Sequence, residues 1–132
     1  MLKVLVVEDD DVIAQSMVRH LEAAGFAPSR VATGEEGLKR LRHDPPDVAV
    51  VDLMLPGIPG ARLIETARAE GINTPIIVVS AHGTKHEPAL QIRADDYLVK
   101  PFSMKELVTR VTATGLSPRT GGQIKHVMAE LD

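Results

Sequence analysis

PDVAVVDLMLPGIPG, residues 46–60, passes from an apolar β-branched run to a carboxylate and then to a loop rich in Pro and Gly. Val48, Ala49, Val50 and Val51 are a run short enough to form a strand buried on both faces. The run stops at Asp52, and Pro56, Gly57, Pro59 and Gly60 forbid an immediate helix. A carboxylate therefore stands at the carboxyl end of a central strand, the edge of an open parallel sheet where ligands bind. The plainer alternative is that Asp52 only caps the loop, as Asp does at many turns.

Working outward, Leu2–Val7 is a second buried strand, ending at Glu8 and Asp9. Residues 11–24 carry helical spacing, with Ile13, Met17, His20, Leu21 and Ala24 on one stripe and Gly25 as the stop. Phe26–Val31 is a weak strand that Pro28 assigns to a sheet edge, because proline cannot donate to a ladder. A helix from Thr33 or Gly34 turns Leu38 and Leu41 inward and ends at Asp44-Pro45-Pro46. Beyond the central strand, a helix over Gly60–Glu70 buries Leu63, Ile64 and Ala67. Pro75–Val79 is a fourth strand ending on Ser80, and Asp95–Val99 a fifth, at the other edge. Between them Gly83 and Pro88 leave room for only a short helix, roughly Glu87–Arg93. Ser103 with Glu106 three residues on marks the start of a last helix carrying Leu107, Val108 and Val111.

Strands alternating with helices give an α/β fold with a parallel sheet. Right-handed crossovers, with the second strand at an edge, favour a flavodoxin-like, doubly wound order of 2-1-3-4-5 with helices on both faces. Composition agrees: 132 residues suit one domain, and with 44% hydrophobic but 2% aromatic residues the core must be aliphatic. A net charge of −3 argues against a free-standing nucleic-acid binder. The absence of Cys removes disulfides and thiolate chemistry. Four acids, Glu8–Asp11, break the first apolar run as no signal peptide would, and no apolar run approaches membrane-spanning length. The expectation is a cytoplasmic chain without a membrane partner.

In the order 2-1-3-4-5 the first and third strands are neighbours, about 4.8 Å apart. Glu8, Asp9 and Asp52 then meet at one sheet edge, where carboxylates repel unless positive charge sits among them. A hard divalent cation with oxygen ligands, most plausibly magnesium, would serve, and so would Lys100 leaving the fifth strand. Ser80 adds a hydroxyl. Metal and ammonium to neutralise oxygens, a hydroxyl to donate and a carboxylate to attack phosphorus describe a phosphoryl site, with Asp52 the central nucleophile. Each piece alone has an ordinary reading: a solvated acidic loop at a helix start, a turn serine, a snorkelling lysine. Their joint placement at strand carboxyl ends carries the case, with no comparable cluster at the amino ends. His82 and His86, with Gly83 between them, do not make a metal pair.

VLVVEDD, VVDLMLPGIPG, PIIVVSAHG and ADDYLVKPFS, in this order over about residues 2–113, resemble the response-regulator receiver domain of two-component signalling. The resemblance implies that Asp52 accepts a phosphoryl group from a sensor histidine kinase or phosphotransfer protein. It implies magnesium held by Asp9, Asp52 and the Met54 backbone carbonyl, with Glu8 acting through water. Ser80 and Lys100 fall at the family's hydroxyl and lysine positions, Tyr97 at its switching aromatic, and Lys100–Pro101 at a peptide bond that is typically cis. Asp95, Asp96, Glu106 and Arg110 match residues that pair across dimers in the winged-helix regulators. Arg93 departs from the family's Gly, and the segment from Ser80 to Lys100 is short.

The expected organisation is a receiver domain over 1–113, a linker over 114–122 and a short amphipathic helix over 123–132, with Ile124, Val127, Met128 and Leu131 on one stripe. Self-association is expected through 95–110 or that helix, and control of a downstream protein partner through a change of shape. The alternative is a pseudo-receiver that binds partners without phosphorylation. A turnover enzyme is not expected, beyond self-phosphorylation and slow autodephosphorylation: aspartyl-phosphate hydrolases resemble Asp-x-Asp, and Met54 stands at the second acid's position. A flavodoxin-like nucleotide site is weaker still, since the first loop is acidic where phosphates need backbone N–H groups.

Overall fold

The computed structural model describes residues 1–81 and 93–116. Strands β1 (Lys3–Val7), β2 (Ala27–Val31), β3 (Val48–Asp52), β4 (Ile76–Ser80) and β5 (Asp96–Val99) alternate with helices α1 (Asp11–Ala23), α2 (Gly34–His43), α3 (Gly60–Ala69) and, after β5, α4 (Met104–Leu116). All strand pairs are parallel and the order is β2-β1-β3-β4-β5, as the positions of Pro28 and the crossovers required. The expected short helix over Glu87–Arg93 lies outside the described residues except for Arg93, which is not helical.

The continuous apolar runs divide by the two-residue period of a strand. Leu5, Val7, Ala49, Val51, Ile76 and Val78 pack under Leu38 and Leu41 of α2 and Leu63, Ile64 and Ala67 of α3. Val4, Val6, Val48, Val50, Ile77 and Val79 pack under Met17 and Leu21 of α1 and Leu107 and Val111 of α4. Among the described residues the sheet is thus covered on both faces, which leaves the polar side chains of β1, β3 and β4 to the strand ends.

Three helix starts, those of α1, α2 and α4, are closed by side-chain caps, whereas α3 begins at Pro59 without one. Asp10 caps α1 by accepting from the Ile13 N–H (3.0 Å), and Ser103 caps α4 by accepting from Glu106 N–H (3.0 Å). Thr33 and Glu36 form a reciprocal capping pair on α2, the Thr33 hydroxyl donating to Glu36 while accepting from its N–H, both at 3.1 Å. Gly60 must lack a side chain, because a Cβ there would lie 2.3 Å from the Asp52 carbonyl oxygen. That close approach brings α3 directly under the end of β3.

Two readings of helix faces change. The α1 stripe runs through Ala14, Met17 and Leu21, whereas His20 and Ala24 are exposed. His20 lies off the buried row and its Nδ1 meets the Ser16 carbonyl oxygen at 2.8 Å, while Ala24 follows the last helical turn. At the other end of the chain, α4 continues through Leu116, so residues 114–116 of the expected linker are helical. Gly115 permits it: a Cβ there would press on Leu2 Cδ1 at 3.0 Å and Val48 Cγ2 at 3.2 Å. The rest of the linker and the helix over 123–132 lie outside the described residues.

The amino ends of β4 and β5 also hold a charged cluster. The Arg68 guanidinium, side chain 6% exposed, donates to the carbonyls of Ile72 (2.8 Å), Thr74 (2.9 Å) and Arg93 (2.9 Å) and to Asp95 Oδ2 (3.2 Å). Asp95 Oδ2 also accepts from the Ile76 N–H at 2.8 Å. The cluster ties the end of α3 to the starts of both strands.

Candidate functional site

The register Val7↔Val51 and Asp52↔Val79 brings the ends of β1, β3 and β4 level, so Glu8, Asp52 and Ser80 emerge side by side. Glu8, Asp52 and Ser80 are buried to 2%, 3% and 2% exposure, while Asp9 beside them is exposed. One carboxylate oxygen from each of Glu8, Asp9 and Asp52 lies within 4.8 Å of the others. The three acids expected to meet do meet.

Asp52 divides its oxygens between two tasks. Oδ2 accepts from Lys100 Nζ at 2.8 Å, and Oδ1 accepts from the Met54 N–H, also at 2.8 Å. The second bond is the turn-capping role, and it leaves the other oxygen to Lys100. Lys100 reaches the site because β5 ends beside β4, its N–H donating to the Ser80 carbonyl at 2.8 Å. The Lys100–Pro101 bond is cis, as expected. The Lys100 ammonium also stands 4.0 Å from Glu8 Oε1. Burial works against the lysine's charge, but the bond to Asp52 and the charges of Asp52, Glu8 and Asp9 outweigh it and hold its pKa above the ordinary value.

Glu8 is perturbed most. Burial, a hydrogen bond shared with Asp52 and the Asp52 charge push its carboxyl up to about 7, against the Asp10 N–H (3.0 Å) and Lys100, which favour the anion. One ammonium thus faces three carboxylates, and the site is short of positive charge. A hard divalent cation fits this donor set of carboxylate oxygens, two of them buried. Bound there, it would supply neutralisation of phosphoryl oxygens.

Ser80 is buried at the β4 end, and Tyr97, opposite Val78 on β5, packs partly buried against the core cluster under α2 and α3. Met54 is 74% exposed. Of the residues matched to dimer pairing, Asp95 is engaged by Arg68, and Arg110 pairs within the chain with Asp96 at 2.6 Å and Glu106 at 3.7 Å. His82 and His86 lie outside the described residues.

Sequence reasoning missed two features of the surroundings. Arg30 of β2 donates through Nε to the Glu8 carbonyl (2.8 Å) and pairs through Nη1 with Asp11 (2.8 Å). A weak edge strand gave no sign of that reach. Beside Lys100, Ile13, Ala81, Pro101, Phe102 and Met104 line a groove of about 440 Å³, whose apolar residues read as ordinary helix and loop positions.

Residues 4–112 match the response regulator receiver domain. The transcriptional regulatory protein CseB of Streptomyces coelicolor is 42% identical over 83% of this chain and 47% of its own length. BaeR of Escherichia coli, also a transcriptional regulatory protein, is 38% identical over 83% of this chain and 46% of its own. The chain therefore spans about half the length of the curated relatives it matches. Among solved structures, the receiver domain of the Francisella response regulator 1452 superposes with a TM-score of 0.82 at 38% identity, covering 87% of this chain and 97% of that one. The receiver domain of a sensor histidine kinase from Pseudomonas aeruginosa, with a magnesium ion coordinated in its active-site cleft, gives 0.81 at 28% identity over 88% and 98%.

Proposed function

This chain belongs to the response-regulator receiver family, a module of phosphorylation-based signalling, and from that premise we propose that Asp52 is its phosphoacceptor. The observation that carries the proposal is the Asp52 carboxylate itself, buried at the end of the central strand and bonded to Lys100 Nζ at 2.8 Å. The donor is a phosphohistidine on a sensor kinase or phosphotransfer protein. An Asp52 oxygen forms the new P–O bond as the P–N bond breaks, and the electron pair leaves on the imidazole nitrogen. Lys100 holds the carboxylate in place and offsets charge on the phosphoryl oxygens. Asp9, Asp52 and the Met54 carbonyl, with Glu8 through water, are the proposed magnesium ligands.

On Asp52 a phosphoryl group carrying roughly −1.5 to −2 of charge replaces the carboxylate's −1, and it brings three strong acceptor oxygens. Ser80 is proposed to donate to them from the end of β4, drawing its loop inward and letting Tyr97 turn. Among the described residues no helix is long and apolar enough to cross a membrane. The expectation of no nucleic-acid partner applies to these residues alone, since the relatives are transcriptional regulators about twice as long as the matched span. Incubation with acetyl phosphate and magnesium should add one phosphate, acid-stable and base-labile, by mass spectrometry. Asp52→Asn should add none; labelling of that variant to the wild-type extent would move the acceptor elsewhere, and an unlabelled wild type would favour the pseudo-receiver.

A further inference from the structure

We propose that Arg30, on the edge strand β2, is a positioning residue that fixes the Glu8–Asp11 segment in the shape a divalent cation needs. The inference rests on the reading of Glu8, Asp9 and Asp52 as a magnesium site.

Two consecutive residues of β2 grip the Glu8 peptide from its two sides. The Val31 carbonyl accepts from the Glu8 N–H at 3.1 Å, and Arg30 Nε donates to the Glu8 carbonyl at 2.8 Å. The same guanidinium reaches over the loop to Asp11 Oδ1 at 2.8 Å, in the first turn of α1. Asp9 lies between these two anchor points. The segment bearing both acids is thereby held at Glu8 from an element outside the acidic cluster, with a weaker second contact at Asp11.

Two observations and one electrostatic argument separate positioning from ordinary surface pairing. The Asp11 side chain is 79% exposed, where an ion pair contributes little, so the part-buried bond to the Glu8 carbonyl carries the effect. Arg30 Nη2 is buried without a partner among the described residues, a cost that an apolar side chain would avoid. Fold stability alone therefore gives Arg30 little advantage. Most decisively, a guanidinium near a cation site repels the cation. If Arg30 acted only through its charge, removing it would tighten magnesium binding. If it acts through geometry, removing it loosens binding, because magnesium tolerates little departure from octahedral geometry.

The test is a magnesium titration of the full chain at constant ionic strength, followed by backbone amide shifts of Glu8–Asp11 and Asp52, for wild type, Arg30→Met and Arg30→Lys. Supporting residues around metal ligands typically contribute tenfold or more in affinity. Arg30→Met should bind about tenfold more weakly, with Arg30→Lys in between. In EDTA, the amides of Asp9 and Asp10 should exchange faster in Arg30→Met while those of β3 and β4 do not. Equal or tighter binding by Arg30→Met overturns the proposal. Should that variant fail to fold, Arg30→Lys decides, since it keeps the charge: weaker binding supports positioning, and wild-type affinity overturns it. A wild type without a saturable response removes the magnesium reading itself, and this proposal with it.

Discussion

At the amino ends of β4 and β5 one guanidinium meets one carboxylate and three carbonyl oxygens, whereas at the carboxyl ends of β1 and β3 three carboxylates share one ammonium. Among the described residues the Arg68 cluster sets one cation against one anion, with the guanidinium donating four hydrogen bonds. The Asp52 cluster is acidic in excess, with one member exposed and another holding a proton near neutrality. Burial is similar for Arg68, Glu8 and Asp52, so depth does not distinguish structure from chemistry here. Unbalanced charge at an open strand end does, because only such a site gains from a cation.

The largest effects should separate the two ends completely. Asp52→Asn is expected to lose phosphorylation altogether, while Arg68→Met should label like wild type per folded molecule. Labelling lost in Arg68→Met under conditions where its amide spectrum stays native would break the distinction. Stability should show the converse. Removing Arg68 takes the donor from the part-buried carbonyls of Ile72 and Thr74 while Asp95 keeps the Ile76 N–H, and an unsatisfied buried polar group costs about 1–3 kcal/mol. Urea unfolding of Arg68→Met should show that loss, and an unchanged midpoint would mean that water replaces the guanidinium freely.

The same contrast explains what the sequence disclosed. Strand ends are marked by where an apolar run stops, so Glu8, Asp52, Ser80 and Lys100 could be placed together once Pro28 had sent β2 to the edge. Arg68 carried no such mark. It sits on the rim of a helix whose periodicity points to Leu63, Ile64 and Ala67, and among the described residues it donates to three backbone carbonyls, which any sequence possesses. Arg30 is hidden for the same reason, since its partner at Glu8 is a carbonyl rather than a side chain. His20 was misplaced because an apolar spacing over a short helix fixes the face only to within one neighbouring row.

The smallest expected effect is the most diagnostic of charge excess. Glu8 has its pKa raised from the ordinary 4.5 to about 7, so between these values the folded chain binds a proton that the unfolded chain has released. Stability should therefore fall as pH rises through this window and be level, as far as Glu8 is concerned, below and above it. A shift from 4.5 to about 7 corresponds to at most about 3–4 kcal/mol, at about 1.36 kcal/mol per unit. This is opposite to a carboxylate held by a salt bridge, which loses stability as pH falls. Urea midpoints in EDTA from pH 5 to 8 should decline for wild type, and Glu8→Gln, neutral throughout, should lose that part of the decline. Saturating magnesium should reverse the trend, because a cation competes with the proton and gains affinity as the carboxyl ionises. Parallel pH profiles for wild type and Glu8→Gln in EDTA would show that Glu8 titrates normally, and the two ends of the sheet would then differ in ligand access rather than in charge balance.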